Sequence, residues 1–277
     1  MSAESRPESL NATLVARRDI NATLTILRIQ PDVQPYPFSA GQFAVLGLPR
    51  SHPRVAEADP EDPPTPQQAD RLVRRAYSIS SASQEQGSLE FYVRLVVSGE
   101  LTPRLFTLQP GQRLFLGPKA AGVFTLTQVP PGQNILLVAT GTGVAPYVSM
   151  TRTLAMGDGC PACPMTVIQG ARHASELGFR QEMEDLARAC RNFRYHPILS
   201  RPQDERSWAG LTGHLTQWLA PNVLDELAGF AVTPADTHIF LCGHPGMVGD
   251  ASALFTARGF HAGTRQSPGN LHMEKYW

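Results

Sequence analysis

Residues 135–146 read Ile135-Leu136-Leu137-Val138-Ala139-Thr140-Gly141-Thr142-Gly143-Val144-Ala145-Pro146. The apolar run Ile135 to Ala139 has the continuity of a buried parallel strand. Gly141 and Gly143 permit a tight turn and let a ligand approach the backbone closely. Pro146 suits the first turn of a helix, where its missing N–H is no loss, and the helical pattern continues through Tyr147, Val148, Thr151 and Leu154. Strand, glycine turn and helix start in succession make a site for a phosphate-bearing cofactor. Pro146 stands where the third glycine of G-x-G-x-x-G would be, so this is not the usual dinucleotide fingerprint. An ordinary strand–turn–helix has the same outline.

From Pro130 onward strands and helices alternate, which implies a parallel sheet. Strands are expected at 134–139, 165–170, 193–199 and 237–242, with helices near 144–156, 175–190, 213–220 and 245–258. Ligands of such sheets collect at the carboxyl ends of the strands. Those ends carry Thr140–Gly143, Ala171-Arg172, Ser200-Arg201 and Cys242-Gly243-His244-Pro245. A fold choosing NAD places an acid near the second strand end; this chain has Arg172 there and Arg201 after the third strand. Two arginines at strand ends suggest a cofactor with an extra phosphate, as in NADP. Surface arginine is the plainer reading, because only Lys119 and Lys275 are lysines.

Residues 11–128 read instead as strands with one short helix, a small closed barrel. Arg75-Ala76-Tyr77-Ser78 ends one strand and offers a charge, an aromatic face and a hydroxyl. Thr102 is expected as an N-cap, with Pro103 at the first helical position. Val123 to Leu126 is expected to be a strand. Residues 49–70 are proline-rich, acidic and poor in aromatics, and read as an exposed, mobile insertion loop.

The 277 residues suit two domains, and 42% hydrophobic content is enough for real cores. Zero formal net charge gives no global field for nucleic acid or membrane. No run is long enough to span a bilayer, and the N-terminus lacks the apolar core of a secretory signal. The expectation is a cytoplasmic chain. A disulfide framework is not expected in such a chain, so Cys160-Pro161-Ala162-Cys163 reads as a surface loop with two thiols, or as a redox-sensitive pair. No metal cluster or Ser-His-Asp pattern is evident.

Together these pieces resemble the bacterial-type ferredoxin/flavodoxin–NADP(H) reductase family over nearly the whole chain. The resemblance rests on Arg75-Ala76-Tyr77-Ser78, Thr140-Gly141-Thr142-Gly143 with Ala145-Pro146, Cys242-Gly243 with Pro245 and Met247, and the ending Glu274-Lys275-Tyr276-Trp277. It implies an FAD-binding antiparallel β-barrel over 1–128 and an NADP-binding α/β domain over 129–277 with a flavin-covering tail. Arg75 would hold the FAD pyrophosphate, Tyr77 would stack on the flavin ring and Ser78 would bond its N5 edge. Tyr92 and Glu100-Leu101-Thr102 would bind the ribityl and phosphate portion, and Thr142 would sit beside the flavin. Tyr276 or Trp277 would cover the flavin's other face or the adenine. Arg172 and Arg201 would bind NADP(H), with Ala171, Ser200, Gly243 and Asp250 near it. Cys242 and Glu274 would lie by the hydride path. Members often carry Arg after the Leu-Thr-Gly turn; here it is His214, a single donor rather than a charged fork.

The implied activity is hydride transfer from NADPH to flavin N5, then single-electron delivery to ferredoxin or flavodoxin, an acidic carrier. Arg71, Arg74, Arg94 and Arg104 are expected to form a basic patch for it. The rival readings are an NAD(P)H-dependent flavin or oxygenase reductase with another acceptor, and a flavin-binding interaction protein without turnover.

Overall fold

The structure is a computed structural model and describes residues 10–157, 159–204, 207–263 and 268–276. Trp277, named above as a flavin-covering residue, lies outside the described residues. Contacts divide the chain into two compact units, 1–122 and 123–277.

The first unit is built from β1 (Ala12–Asn21), β2 (Leu24–Pro31), β3 (Phe43–Pro49), β4 (Leu72–Ser78), β5 (Leu89–Arg94) and β6 (Arg113–Leu116). All pairings are antiparallel, in the order β4-β3-β6-β1-β2-β5. An antiparallel bridge from Ile79 to Phe91 joins the end of β4 to β5, so the sheet curls round and closes at that point. Inside lie Leu14, Leu27, Ile29, Leu46, Leu48, Phe91 and Leu114, on the inward positions of the two-residue strand period.

Two local expectations change here. Val123 to Leu126 is not a strand; a 3-10 turn, Leu126–Gln128, follows it. Phe124 leaves the barrel register because its ring packs 5.2 Å from Phe240 and 6.1 Å from Tyr147 in the second unit's own core.

Residues 49–70, expected to be a mobile loop, make ion pairs and backbone bonds to the barrel. They hold a one-turn helix, α1 (Pro66–Ala69), and Glu61 receives three guanidinium groups: Arg50 at 3.1 Å, Arg54 at 3.0 Å and Arg104 at 3.0 Å. Arg104 is only 2% exposed and also donates to the carbonyls of Arg50 and Glu100. Arg104 therefore does not belong to an exposed basic patch. Backbone bonds from Val55 to Pro103 and from Asp59 to Val97 complete the clasp.

The second unit has β7 (Asn134–Thr140), α3 (Ala145–Met156), β8 (Met165–Ala171), α4 (Arg180–Ala189), β9 (Phe193–Leu199), β10 (Leu211–Thr212), α5 (Pro221–Ala228), β11 (Thr237–Gly243), α6 (Pro245–Ala257) and β12 (Leu271–Lys275). The sheet is parallel throughout, in the order β10-β9-β8-β7-β11-β12. Strand order reverses between β7 and β11, the position where open α/β sheets take ligands. The helix expected at 213–220 is instead a 3-10 turn, Leu215–Leu219, and the α-helix starts only at Pro221. Proline favours that first position and disfavours helical backbone in the residue before it. Of the residues before the terminal aromatics, Leu271–Lys275 form β12 against β11.

The cysteine expectation is overturned. Cys160 is bonded to Cys190, 30 residues on, and Cys163 is the free thiol. The cause is topological: α4 ends at Ala189, which brings Cys190 back to the loop that follows α3.

On β11 and β12, His238 and His272 face each other, with Nδ1 and Nε2 3.1 Å apart. The His272 ring also stacks on Phe240 at 4.2 Å. Burial holds both imidazoles below their usual value, His272 to about 4 with a further push from His238. Both are therefore neutral in the folded state at pH 7. Their contribution is fully present above the unfolded value of about 6.5 and is lost as pH falls towards about 4. A denaturant titration should show stability falling by roughly 1 kcal/mol or more over that window, after allowing for partial solvent screening. In His272→Phe that share of the acid loss should disappear; an unchanged pH profile would refute the pair as its source.

Candidate functional site

In the first unit the site residues sit at the end of β4 and around the 96–105 turn. Arg75 is 57% exposed and donates through Nη2 to Glu100 Oε2 at 2.9 Å. Tyr77 is half-buried against the barrel core, and burial pushes its phenol well up. Ala76 is exposed, Ser78 is buried, and Tyr92 is buried on β5. Arg75 and Tyr77 fall on one face of β4 by strand periodicity. The one-turn helix α2 (Thr102–Leu105) has Leu101, not Thr102, at its N-cap. Thr102 is displaced from that role because its hydroxyl accepts from Val96 N–H at 2.9 Å and bonds the Val96 carbonyl, closing the turn.

In the second unit the sites gather at the carboxyl ends of the parallel strands. Gly141 adopts φ 56° and starts the 3-10 turn Gly141–Val144 that leads into α3. Gly143 is needed for proximity: a Cβ there would lie 2.7 Å from the Cys242 carbonyl carbon and 2.8 Å from Gly243 Cα. Gly243 answers it, with φ 127° and a would-be Cβ 2.6 Å from the Thr140 carbonyl oxygen. Thr140 Oγ1 accepts from His244 N–H at 3.0 Å, fastening β7 to the start of α6. The Tyr147 hydroxyl reaches the Val138 and Phe240 carbonyls at 3.0 and 2.8 Å, bridging β7 and β11 from α3. No sequence pattern marked Tyr147 as more than a helix-face residue.

Cys242 is fully buried, and burial pushes its thiol well up. It is packed as a neutral group. Beside it in the strand register is Glu274, whose carboxyl burial raises to about 7. Tyr276 N–H donates to the Gly243 carbonyl at 3.1 Å, so the tail lies along the same strand end. Thr142 is half-buried and Asp250 exposed on α6.

The β8 and β9 ends carry the cations. Arg172 pairs through Nε and Nη2 with Glu176, at 3.0 and 2.6 Å. Arg201 N–H donates to the Arg172 carbonyl, and Ser200 N–H to that of Ala171, so the two strand ends are tied together. The Arg201 side chain is exposed and has no ion pair among the described residues. His214 is exposed at the start of the 3-10 turn after β10. Sequence reading missed two neighbours of this cluster, Arg180 and Trp208. An arginine opening a helix after a strand and a tryptophan in the next strand-end loop were the available signals.

Residues 65–124 match the oxidoreductase FAD-binding domain model and residues 137–253 the oxidoreductase NAD-binding domain model. The flavodoxin/ferredoxin–NADP reductase of Escherichia coli K12 is 32% identical over 244 residues, 87% of this chain and 88% of that protein. The chain belongs to the flavodoxin/ferredoxin–NADP reductase family. Ferredoxin–NADP reductase B of Sorangium cellulosum is 34% identical over 272 residues, 97% and 98% of the two chains. The ferredoxin NADP+ reductase of Neisseria gonorrhoeae, solved with bound FAD and NADP, shares the fold at a TM-score of 0.79. It covers 96% of this chain and 98% of that one, at 23% identity.

The glycine contact is testable. Gly143→Ala has no room for its methyl without moving the β11 backbone, and overpacking of this kind costs about 1–3 kcal/mol. The melting temperature should drop by several degrees, whereas Gly249→Ala, inside α6 with open space around its Cβ position, should melt at or above the parent, because Ala favours a helix interior over Gly.

Proposed function

We propose that the chain is an FAD-dependent reductase that takes electrons from NADPH and passes them singly to ferredoxin or flavodoxin in the cytoplasm. The observation that carries this reading is the meeting of the glycine turn after β7 with the end of β11. There Gly143 and Gly243 let the two backbones pack where no side chain fits, which brings the Gly141–Val144 turn against the buried, neutral Cys242, with Glu274 beside it. No described helix is long and apolar enough to cross a membrane.

The residues present fit both cofactors. On the barrel, Arg75 offers an exposed fork for a diphosphate. Its pair with Glu100 is exposed on both sides, and such pairs are worth about 0–1 kcal/mol, so the fork can turn to a ligand at small cost. Tyr77 offers a ring face, and Ser78 a hydroxyl at the strand end. Tyr92, Leu101 and Thr102 shape the turn behind them. At the other sheet, Arg172 and Arg201 match a nucleotide phosphate, with Ser200, Ala171 and His214 beside them and Asp250 on α6.

The bound flavin supplies the exchange between hydride and single-electron chemistry. The chain's own residues orient and exclude water. Thr140 and Tyr147 lock β7 to β11, so the strand ends keep their spacing. Glu274, with a carboxyl near neutrality, can hold or release a proton at the strand end beside Cys242, and Tyr276 closes over Gly243. Arg71 and Arg74 are exposed and Arg94 is half-buried; these three remain as the basic surface for an acidic carrier.

The purified protein should carry FAD and bleach on addition of NADPH. Arg75→Ala should lose flavin on dialysis, with a penalty of about 1.5–3 kcal/mol for a hydrogen bond to a charged group; undiminished flavin retention would overturn the Arg75 assignment. Reduction of the carrier should slow severalfold between low salt and roughly 0.5 M salt, because the Debye length shortens below the reach of the patch. A rate indifferent to salt would remove the electrostatic docking step, and reduction of neither carrier would leave another acceptor as the substrate.

A further inference from the structure

We infer that Arg180, held against the indole of Trp208, is a further phosphate ligand of the nucleotide site. There it helps set the preference for a nucleotide phosphorylated on its adenosine ribose. This rests on the reading of the β8 and β9 ends as the NADPH site.

Trp208 is the shared neighbour. It packs on the buried cluster of Ala171, Leu177 and Leu199, and Ala171 and Leu199 end the strands that precede Arg172 and Arg201. Its Nε1 donates to the Leu211 carbonyl at 3.0 Å, which fixes the ring. The Arg180 guanidinium carbon stands 4.7 Å from the ring centroid, a cation–π stack. The Arg180 Nε donates to Glu184 at 2.6 Å. Two independent contacts thus hold one guanidinium, while Nη1 and Nη2 make no hydrogen bond among the described residues. Among the described residues both terminal nitrogens remain as donors.

The position itself argues for an anion. Arg180 is the first residue of the ten-residue helix α4, where the macrodipole opposes a cation and favours a negative ligand. Glu184 offsets this only in part, as the pair is 41% and 34% exposed. A phosphate between the helix start and the strand ends meets the guanidinium and the dipole together. The stack with Trp208 limits the rotamers that Arg180 would otherwise lose on binding.

The experiment uses the flavin-loaded protein and two probes, adenosine 2′,5′-bisphosphate and 5′-AMP, titrated by calorimetry against the parent, Arg180→Ala, Arg180→Lys, Trp208→Leu and Arg201→Ala. In Arg180→Ala the bisphosphate should weaken on the order of tenfold and 5′-AMP by less than about threefold. Arg180→Lys should recover part of the loss as a point charge. Trp208→Leu should fall between, because the guanidinium is then present but unfixed. The ratio of kcat/KM for NADPH over NADH should follow the same order. Bisphosphate affinity within about twofold of the parent in Arg180→Ala, or equal losses for both probes, would overturn the inference. Arg201→Ala separates the two levels of argument. If it loses bisphosphate selectively while Arg180→Ala does not, only the Arg180 assignment falls; if neither discriminates the probes, the strand-end site is itself misplaced.

Discussion

Where β7 and β11 end, the two backbones stand closer than any side chain allows. A Cβ on Gly143 would meet the carbonyl carbon of Cys242, and one on Gly243 would meet Thr140. That mutual exclusion determines much of the second unit. It lets Thr140 reach His244, lets Tyr147 bridge carbonyls of both strands, and sets Cys242 into the wall as a packed, un-ionised thiol. β12 then registers on β11, which delivers Glu274 next to Cys242 and Tyr276 onto Gly243. The consequence is a strand end whose two backbones are fixed against each other, with a carboxyl of raised affinity for protons beside it.

The sequence made this part legible because its signals are local. Ile135 to Ala139 is apolar without interruption, and glycine and proline punctuate the turn at fixed offsets. The barrel strands were legible for the same reason, through their two-residue alternation. Signals that depend on a distant partner were not. Glu61 sits in a stretch whose composition reads as mobile, yet three arginines, one of them 54 residues from Arg50 in the chain, converge on it. Composition reports the average tendency of a segment to order; it cannot report that a single carboxylate has found a buried guanidinium. Cys160 shows the same limit, since its partner is set by where α4 ends rather than by the neighbouring Cys163. The missed α5 has a local cause: the apolar spacing of 215–219 fits a helix, but Pro221 forces a new start.

Of the candidate site, the strand-end residues were readable from position alone, whereas Arg180 and Trp208 were not. Each is ordinary in sequence. Their pairing exists because the loop after β9 folds back over the end of β8, and nothing in the spacing of residues 180 and 208 encodes that return.

Burial separates the arginines that build the fold from those available to a ligand. Arg104 is 2% exposed and shares its charge among Glu61 and two backbone carbonyls; removing its partner would strand a charge in a low-dielectric interior, which costs several kcal/mol. Arg75 and Arg180 are also ion-paired, but both members of each pair meet water, at 57% and 47% exposed for Arg75 with Glu100 and 41% and 34% for Arg180 with Glu184; Arg172 differs, because its partner Glu176 is only 6% exposed. Water screens the two exposed pairs to about 0–1 kcal/mol, while still biasing each side chain towards one orientation. An exposed carboxylate partner therefore acts as a holder rather than a lock. It keeps the guanidinium extended in the absence of ligand and yields when a phosphate brings more charge and better geometry. The acids beside these arginines do not compete with the nucleotide on equal terms; they keep its binding groups ordered until it arrives.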